Sequence, residues 1–432
     1  MQKNVIIGLG AVAVVAIIIG AGIGVYLANS NDKKIPGFEK DTGTVYGNAD
    51  GNCYIDENDI TVMRSIMDGK SSLNDYPFAD ANCDGEVNND DIAIVNKYLA
   101  KEECTLKVLD SEEKVIDVKY PITNIMVLCG SNLAPLMNVL DVSDRIVGAA
   151  YTSNKFDPVR DYPIDQGVKN GTITKLTTDG TAADFTAITN LKDKKDCHFF
   201  MTELSSMYPI DSDENVTVLN GMGIDVVRME ARDPGQDLRS LAVFGILLNK
   251  SDNVKEYQDY INSVYKNIGD KIGDTAHKKV LISSLTSNLS GPGSGYTVML
   301  NMAKLDNVIT TGDSSQKVKD GDTWFLDPKY ASDFLYLGSS CGYNDTGFKA
   351  KDITTYTDLY KNHNAWKTNN AAYIYSTSIP VVVRVAYYAE TAYPDLFEDG
   401  FAHNLHQEYV DKYFKAPEYK VNDDLCMKKI SS

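Results

Sequence analysis

The chain has 432 residues, of which 42 are basic and 60 are acidic, and its formal net charge is −18. Such an excess of negative charge repels phosphate backbones, so the composition argues against a nucleic-acid partner. With 43% hydrophobic and 24% charged residues the chain can bury a core, and its length predicts two or three domains.

The first element is an uncharged, apolar run from Val5 to Ala28. At about 1.5 Å per residue it is long enough to cross a hydrocarbon core of about 30 Å. It predicts a transmembrane helix within residues 1–28, and Lys3 favours a single-pass cell-membrane protein whose bulk is extracytoplasmic. A cleaved signal peptide is the alternative. Residues 29–44 are polar, contain Pro and Gly, and predict a linker.

Two acidic segments, residues 48–59 (loop one) and 80–91 (loop two), share oxygen-bearing side chains at positions 1, 3, 5, 9 and 12. A twelve-residue loop with this spacing supplies the oxygen ligands that Ca²⁺ prefers, and position 7 contributes a backbone carbonyl. The sequence therefore predicts two Ca²⁺ sites. The predicted ligands are Asn48, Asp50, Asn52, Tyr54, Asp56 and Asp59 in loop one, and Asp80, Asn82, Asp84, Glu86, Asn88 and Asp91 in loop two.

The two loops differ at position 6, where a sharp turn favours glycine. Loop two has Gly85 there, whereas loop one has Cys53, which predicts weaker calcium binding in loop one. A pair of polar turns with fortuitous spacing is the bland alternative. A second alternative is that calcium only keeps this small segment folded.

Each loop precedes one amphipathic helical segment, ITVMRSIMDG and IAIVNKYLAKEE. Residues 45–104 thereby resemble a dockerin module, a pair of loop–helix repeats that binds a cohesin partner. The resemblance implies a small all-α calcium domain over 45–104 and a cohesin-bearing partner protein.

From residue 105 the pattern becomes α/β. A hairpin (LKVLDSEEKVIDVKY) is followed by strand–helix alternation, one long helical stretch and a second alternation that includes a predicted helix over 327–334. The pattern predicts two Rossmann-like lobes joined by a long helix: an N-lobe over about 105–234, a bridging helix over about 235–272 and a C-lobe over about 273–432.

Segments in this part resemble periplasmic-binding proteins of the iron-siderophore, haem and cobalamin ABC importers. They are YPITNIMVL, LDVSDRIVGAAY, DPGQDLRSLAVFGILLNKSDNVKEY, YPDLF and HQEYVDKYF. The resemblance covers about residues 105–416 and implies a bilobal class-III substrate-binding fold over 105–432. It also implies an ABC permease as partner and an iron chelate, haem or corrinoid as ligand. Leu305-Asp306 replaces the Gly-Gly pair of the family, so ligand identity does not transfer.

Ligands of open α/β folds bind at the carboxyl ends of the strands. The loops predicted to lie there supply the candidate ligand-binding residues Ser131, Asn132, Tyr151, Lys155, Glu203, Ser294, Tyr296 and Tyr343, and Arg384 is a candidate anion-binding residue. For Arg384 the alternative is a structural salt bridge. For the turn SGPGSGY, whose following helix could bind an anion, the alternative is a flexible connection.

The histidines and cysteines form no catalytic or zinc motif, so we expect a binding protein and not an enzyme. The sequence predicts a membrane-anchored solute-binding protein of an ABC importer. The alternative is a cell-surface assembly protein whose binding-protein lobes no longer serve transport.

Overall fold

The computed structural model describes residues 43–129, 133–151, 157–178, 182–203, 210, 212–231, 234–285, 288–312, 315–319 and 322–431. These residues form two compact units. The first comprises the described residues up to 151 and from 163 to 258, and the second comprises residues 157–162 and 259–431.

The first unit begins with the two loop–helix repeats, whose helices are α1 (Glu57–Met67) and α2 (Asn89–Ala100). Each helix begins at a residue from loop position 9: Asp56 caps α1 and Asn88 caps α2 through side-chain oxygens that accept backbone N–H groups. The apolar stripe of each helix is buried, which confirms the helical periodicity that the sequence predicts.

The rest of the first unit is a hairpin and a parallel sheet with flanking helices. Its elements are β1 (Cys104–Leu109), β2 (Val115–Tyr120), β3 (Ile125–Cys129), α3 (Leu133–Leu140), β4 (Ile146–Tyr151), α4 (Tyr162–Lys169), β5 (Thr174–Lys175), α5 (Phe185–Lys195), β6 (Phe199–Glu203), α6 (Asp213–Gly221), β7 (Asp225–Met229), α7 (Gln236–Leu247) and α8 (Ser251–Ile272). The sheet order is β5-β4-β3-β6-β7, and all its pairs are parallel.

The residues just before loop one are bonded to strand β1 of the hairpin. Val45 pairs with Val108 of β1, and the Thr44 hydroxyl, at the end of the predicted linker, donates to the Leu109 carbonyl at 2.8 Å. Arg239 of α7 is buried here and donates to the Leu109 and Asp110 carbonyls at 3.3 Å.

The single bridging helix expected over 235–272 is wrong: α7 and α8 are separate helices. Asn249 adopts a left-handed conformation (φ 56°), and the Lys250 N–H donates to the Gly245 carbonyl at 2.7 Å, which closes α7. The division between the two units falls within α8. Apolar periodicity continues through the break, and for that reason the sequence pattern does not reveal it.

The second unit is built on a mixed sheet. Its elements are β8 (Lys278–Leu285), β9 (Asn288–Ser290), α9 (Gly295–Met302), β10 (Leu305–Asn307), β11 (Ser315–Lys317), β12 (Phe334–Ser339), α10 (Ala350–Tyr360), α11 (Asn364–Lys367), β13 (Ala372–Ser376), α12 (Val381–Ala392), α13 (Phe401–Tyr409) and β14 (Met427–Lys429). The main path is β11-β9-β8-β12-β13-β14, with β10 beside β8. The central strands β8, β12 and β13 are parallel.

The helix predicted over 327–334 is also wrong. Only a 3₁₀ turn forms at Pro328–Tyr330, and β12 already begins at Phe334. Asp327 accepts the Lys329 N–H at 3.0 Å and starts the short turn, and Ala331 is extended, so the turn does not propagate.

The predicted single-pass membrane location is corrected. Among the described residues, no helix is long and apolar enough to cross a membrane. The longest, α8, carries charged residues along its length (SDNVKEYQDYINSVYKNIGDKI). The segment Val5–Ala28, from which a spanning helix was expected, lies outside the described residues.

Candidate functional site

Loop one is held by its own carboxylates and amides. The Asp59 carboxylate, at position 12, accepts the Asp50 N–H at 3.1 Å and the Asp56 N–H at 2.7 Å. Asn48, at position 1, is 0% exposed, and its Nδ2 donates to the Asn52 carbonyl at 2.6 Å. Its Oδ1 is buried and has no hydrogen-bond partner among the described residues. A buried acceptor without a donor is costly, and a cation in the loop would satisfy it.

Loop two repeats the position-12 pattern. Asp91 accepts the Asn82 N–H at 3.1 Å and the Asn88 N–H at 2.8 Å. At position 1, however, loop two has Asp80, whose Oδ2 accepts the Gly85 N–H from position 6 at 2.8 Å. Loop two therefore has a bond between positions 1 and 6 that closes the loop around its centre.

The two loops also turn differently. Loop two has positive φ at Cys83 (58°) and Gly85 (97°), whereas the positive φ of loop one is at Gly51 (74°). Cys53, at position 6 of loop one, keeps a negative φ and is 1% exposed. Its sulfur lies 3.8 Å from Oε1 of Gln258 on α8. The cysteine that departs from the calcium-loop pattern is thus a packing residue.

Burial raises the pKa of several loop carboxyls. The pKa of Asp59 is raised to about 7, and those of Asp50 and Asp80 are raised, in each case mainly by desolvation. No group of three or more His, Cys, Asp or Glu side chains in the described chain is arranged to hold a metal by itself. The loops combine carboxylates with asparagine amides and carbonyls, and the two Ca²⁺ sites stay a prediction.

In the second unit, the structure brings two candidate ligand-binding residues together. The Arg384 guanidinium of α12 lies 5.5 Å from the ring centroid of Tyr296 on α9. Tyr375 and Tyr388 are further neighbours of the Arg384 guanidinium, and the centroids of their two rings are 5.4 Å apart. Arg384 is 7% exposed, and its Nε is buried and has no hydrogen-bond partner in the part of the chain that the structure describes. The structural salt bridge that the sequence left open is not observed within the described residues, where Arg384 faces these uncharged tyrosines.

Two other candidates of the second unit have structural contacts. Ser294 caps α9, where its hydroxyl accepts the Thr297 N–H at 3.3 Å, so the glycine-rich turn is anchored. Tyr343 is buried and its hydroxyl lies 2.8 Å from Nε2 of His406, while its N–H donates to Asp157 at 3.2 Å. Burial lowers the pKa of His406 to about 3, so the imidazole is neutral.

Of the five candidate ligand-binding residues in the first unit, the structure describes two, Glu203 and Tyr151. Glu203 ends β6 and is 1% exposed, and Tyr151 is the last residue of β4. Ser131, Asn132 and Lys155 lie outside the described residues. Glu203 and Tyr151 do lie at carboxyl ends of parallel strands, the edge at which the sequence analysis placed them.

Sequence reasoning missed the tyrosines around Arg384. Tyr388 is four residues after Arg384 on α12, a spacing that places both on one helix face. Tyr375 directly precedes Ser376, the last residue of β13. The helix spacing was a usable signal, whereas the approach of β13 and α9 depends on the tertiary fold.

No protein-family model matches the chain, and no curated protein matches it. Among solved structures, it is similar to the molybdate periplasmic binding protein MolA of Haemophilus influenzae, bound to molybdate (13% identity, 73% of this chain and 99% of that chain, TM-score 0.51). A periplasmic solute-binding protein of Veillonella parvula is also similar (16%, 74% and 95%, TM-score 0.49). So is CeuE of Helicobacter pylori with Ni(II) bound (14%, 73% and 97%, TM-score 0.48). The likeness to MolA establishes the fold: a mixed α/β fold of the solute-binding-protein type.

Proposed function

We propose that the chain is the solute-binding component of an ABC importer and that its solute is a metal complex that carries anionic oxygens: an iron chelate, haem or a corrinoid. The observation that carries the proposal is Arg384, a buried guanidinium that faces tyrosines and no carboxylate among the described residues. Removing a charge from water is costly unless a counter-ion compensates it. A solute with oxygen anions would supply that counter-ion, and tyrosine rings suit a flat ligand.

We also propose that loops one and two each bind Ca²⁺. The unpaired Asn48 Oδ1 and the position-12 carboxylates of Asp59 and Asp91 support this. Calcium would supply the positive charge that these buried oxygens lack. The repeats would then stay folded around calcium and dock to a cohesin-bearing partner.

The second candidate function is a cell-surface assembly protein. It is favoured by the exposure of the second repeat. Asp84, Gly85 and Glu86 of loop two lie on the surface, and so does Leu99 of α2. An exposed repeat is available to a partner protein whether or not the second unit binds a solute.

Thermal-shift titration of the full chain separates the two candidates. The probes are haem, a ferric siderophore and cobalamin, with molybdate as a simple oxyanion. Stabilisation by one of the three complexes, lost in Arg384→Met, is the expected result. An unchanged melting temperature with all four probes, combined with tight cohesin binding, would replace the transport proposal by the assembly protein.

A further inference from the structure

The corner between α7 and α8 (residues 246–252, the α7–α8 corner) is contacted by both calcium-loop repeats and by the hairpin. Tyr54 of loop one lies on it, with its hydroxyl 3.2 Å from Oδ1 of Asp252 in the first turn of α8. Tyr98 of α2 donates its hydroxyl to the Ile246 carbonyl at 2.9 Å. Tyr120 of β2 donates to Oδ1 of Asn249 at 2.8 Å.

A short path links the first predicted calcium ligand to the same corner. Asn48 Nδ2 donates to the Gly43 carbonyl at 2.7 Å. Gly43 is so close to α7 that an added Cβ would lie 2.5 Å from Cδ1 of Ile246. The Asn48 side chain therefore bonds to a backbone segment that packs directly against the end of α7, while its Oδ1 stays unpaired.

Loop two does not share this environment. Residues 83–86 of loop two are exposed, whereas Cys53 of loop one is buried against Gln258 of α8. The position-7 residues, whose carbonyls are predicted ligands, make the contrast plain: Tyr54 contacts Asp252, and Glu86 is exposed.

We propose that cation binding in loop one is energetically coupled to the order of the α7–α8 corner, so that the first repeat acts as a calcium-dependent clamp on the first unit. A cation would bring Asn48 Oδ1 and the Tyr54 carbonyl into one coordination sphere. It would thereby fix the Asn48–Gly43 bond and the Tyr54–Asp252 contact. By linkage, disorder at the corner weakens cation binding in loop one by the same factor. The inference rests on the proposed calcium binding.

Hydrogen exchange of peptides covering residues 243–258 tests the clamp in the full chain, with calcium and with chelator. Saturating Ca²⁺ should slow exchange at the corner by about tenfold or more. The matched variants are Asp59→Asn and Asp91→Asn, which change the same loop position, remove the negative charge and replace one of the two oxygens that accept the equivalent pair of backbone N–H groups. Asp59→Asn should abolish the protection, and Asp91→Asn should retain it.

A milder variant covers the case in which Asp59→Asn does not fold. Tyr54→Phe keeps every predicted ligand and removes only the hydroxyl contact with Asp252. It should reduce the calcium-dependent protection of the corner while calorimetry still reports calcium in both loops. Full wild-type protection in this variant would contradict the clamp.

Calorimetric titration of the wild type distinguishes a failure of calcium binding from a failure of the clamp. If no Ca²⁺ binds, the proposed calcium function fails and the clamp with it. If Ca²⁺ binds but exchange over 243–258 is unchanged, only the clamp is overturned. Loss of protection in Asp91→Asn would also overturn it, because the corner would then respond to the whole repeat pair and not to loop one.

Discussion

The loop pair of the first unit and the Arg384 cluster of the second unit are opposite in charge and in construction. In the loops, carboxylates are bonded to nearby backbone N–H groups, and a buried amide oxygen lacks a donor. In the cluster, a buried guanidinium faces tyrosines. The first arrangement favours a cation and the second an anion. The difference shows that a chain of net charge −18 can still bury a positive group among neutral tyrosines.

The largest effect is expected from Arg384→Met, which keeps the side-chain length and removes the charge. Affinity for an anionic complex should fall by about 100-fold or more, about 3 kcal/mol. The ligand-free melting temperature should be unchanged or higher, because a buried uncompensated charge is gone. Lys278→Met is the control, since Lys278 also lies over aromatic rings (5.6 Å from Phe334) but is only half-buried. Unchanged affinity, or a marked loss of stability, would contradict the anion site.

The second prediction concerns Asp59 in the calcium-free protein. Its folded pKa is raised to about 7 from an ordinary value near 3.8. The contribution of the neutral Asp59 carboxyl to the free energy of unfolding is therefore fully present below pH 4 and is lost as the pH rises towards 7. We expect a loss of about 2–3 kcal/mol, measured by hydrogen exchange in α1. Saturating Ca²⁺ should remove the pH dependence, and Asp59→Asn should flatten it without calcium. If the stability of the calcium-free wild type does not change between pH 4 and pH 7, the raised pKa of Asp59 is contradicted.

The third prediction has the opposite sign and concerns the second unit. The folded pKa of His406 is lowered to about 3, so its contribution is present above pH 6.5 and is lost as the pH falls below that value. Between pH 6.5 and 5 the second unit should lose about 1–2 kcal/mol. Trp324 and Trp366 are the only tryptophans of the chain, and both lie in this unit, so urea titrations followed by tryptophan fluorescence report its unfolding.

The control for this acid sensitivity is His277, whose side chain is 49% exposed. His406→Gln should reduce the sensitivity, and His277→Gln should retain it. Equal acid sensitivity in both variants would mean that the buried imidazole is not its source.

The smallest effect is expected within the loop pair. Gly85→Ala places a Cβ at φ 97° and should weaken calcium binding in loop two by about fivefold, about 1 kcal/mol. Cys53→Gly should not strengthen loop one, because Cys53 has a negative φ and a packed side chain. Calorimetry of both variants checks this. Tighter binding in Cys53→Gly would show that position 6 limits loop one.

The sequence predicted the elements whose signals are local. The loop–helix repeats were predictable because their polar loop side chains and capping residues, such as Asp56 and Asn88, lie within one short register. The hairpin and the parallel strands were predictable from alternation and buried runs. The break at Asn249 was not, since a single left-handed residue leaves the apolar period intact.

The cluster of Arg384 and its neighbouring tyrosines was only partly predictable. Arg384 and Tyr296 were both candidates, yet nothing in their spacing indicated contact, since α9 and α12 meet only through the tertiary fold. Tyr343 was expected in the ligand site, but its hydroxyl contacts buried His406. A tyrosine at a strand end has the same local sequence whether it faces a ligand or packs in the core.

Mass spectrometry under native conditions, on the full chain purified from its own host, reports directly whether the protein carries a solute. We predict that the wild type retains an anionic metal complex, haem or corrinoid, and that Arg384→Met prepared in parallel retains none. A wild type without such a ligand, or the same ligand at equal occupancy in both proteins, would contradict the account.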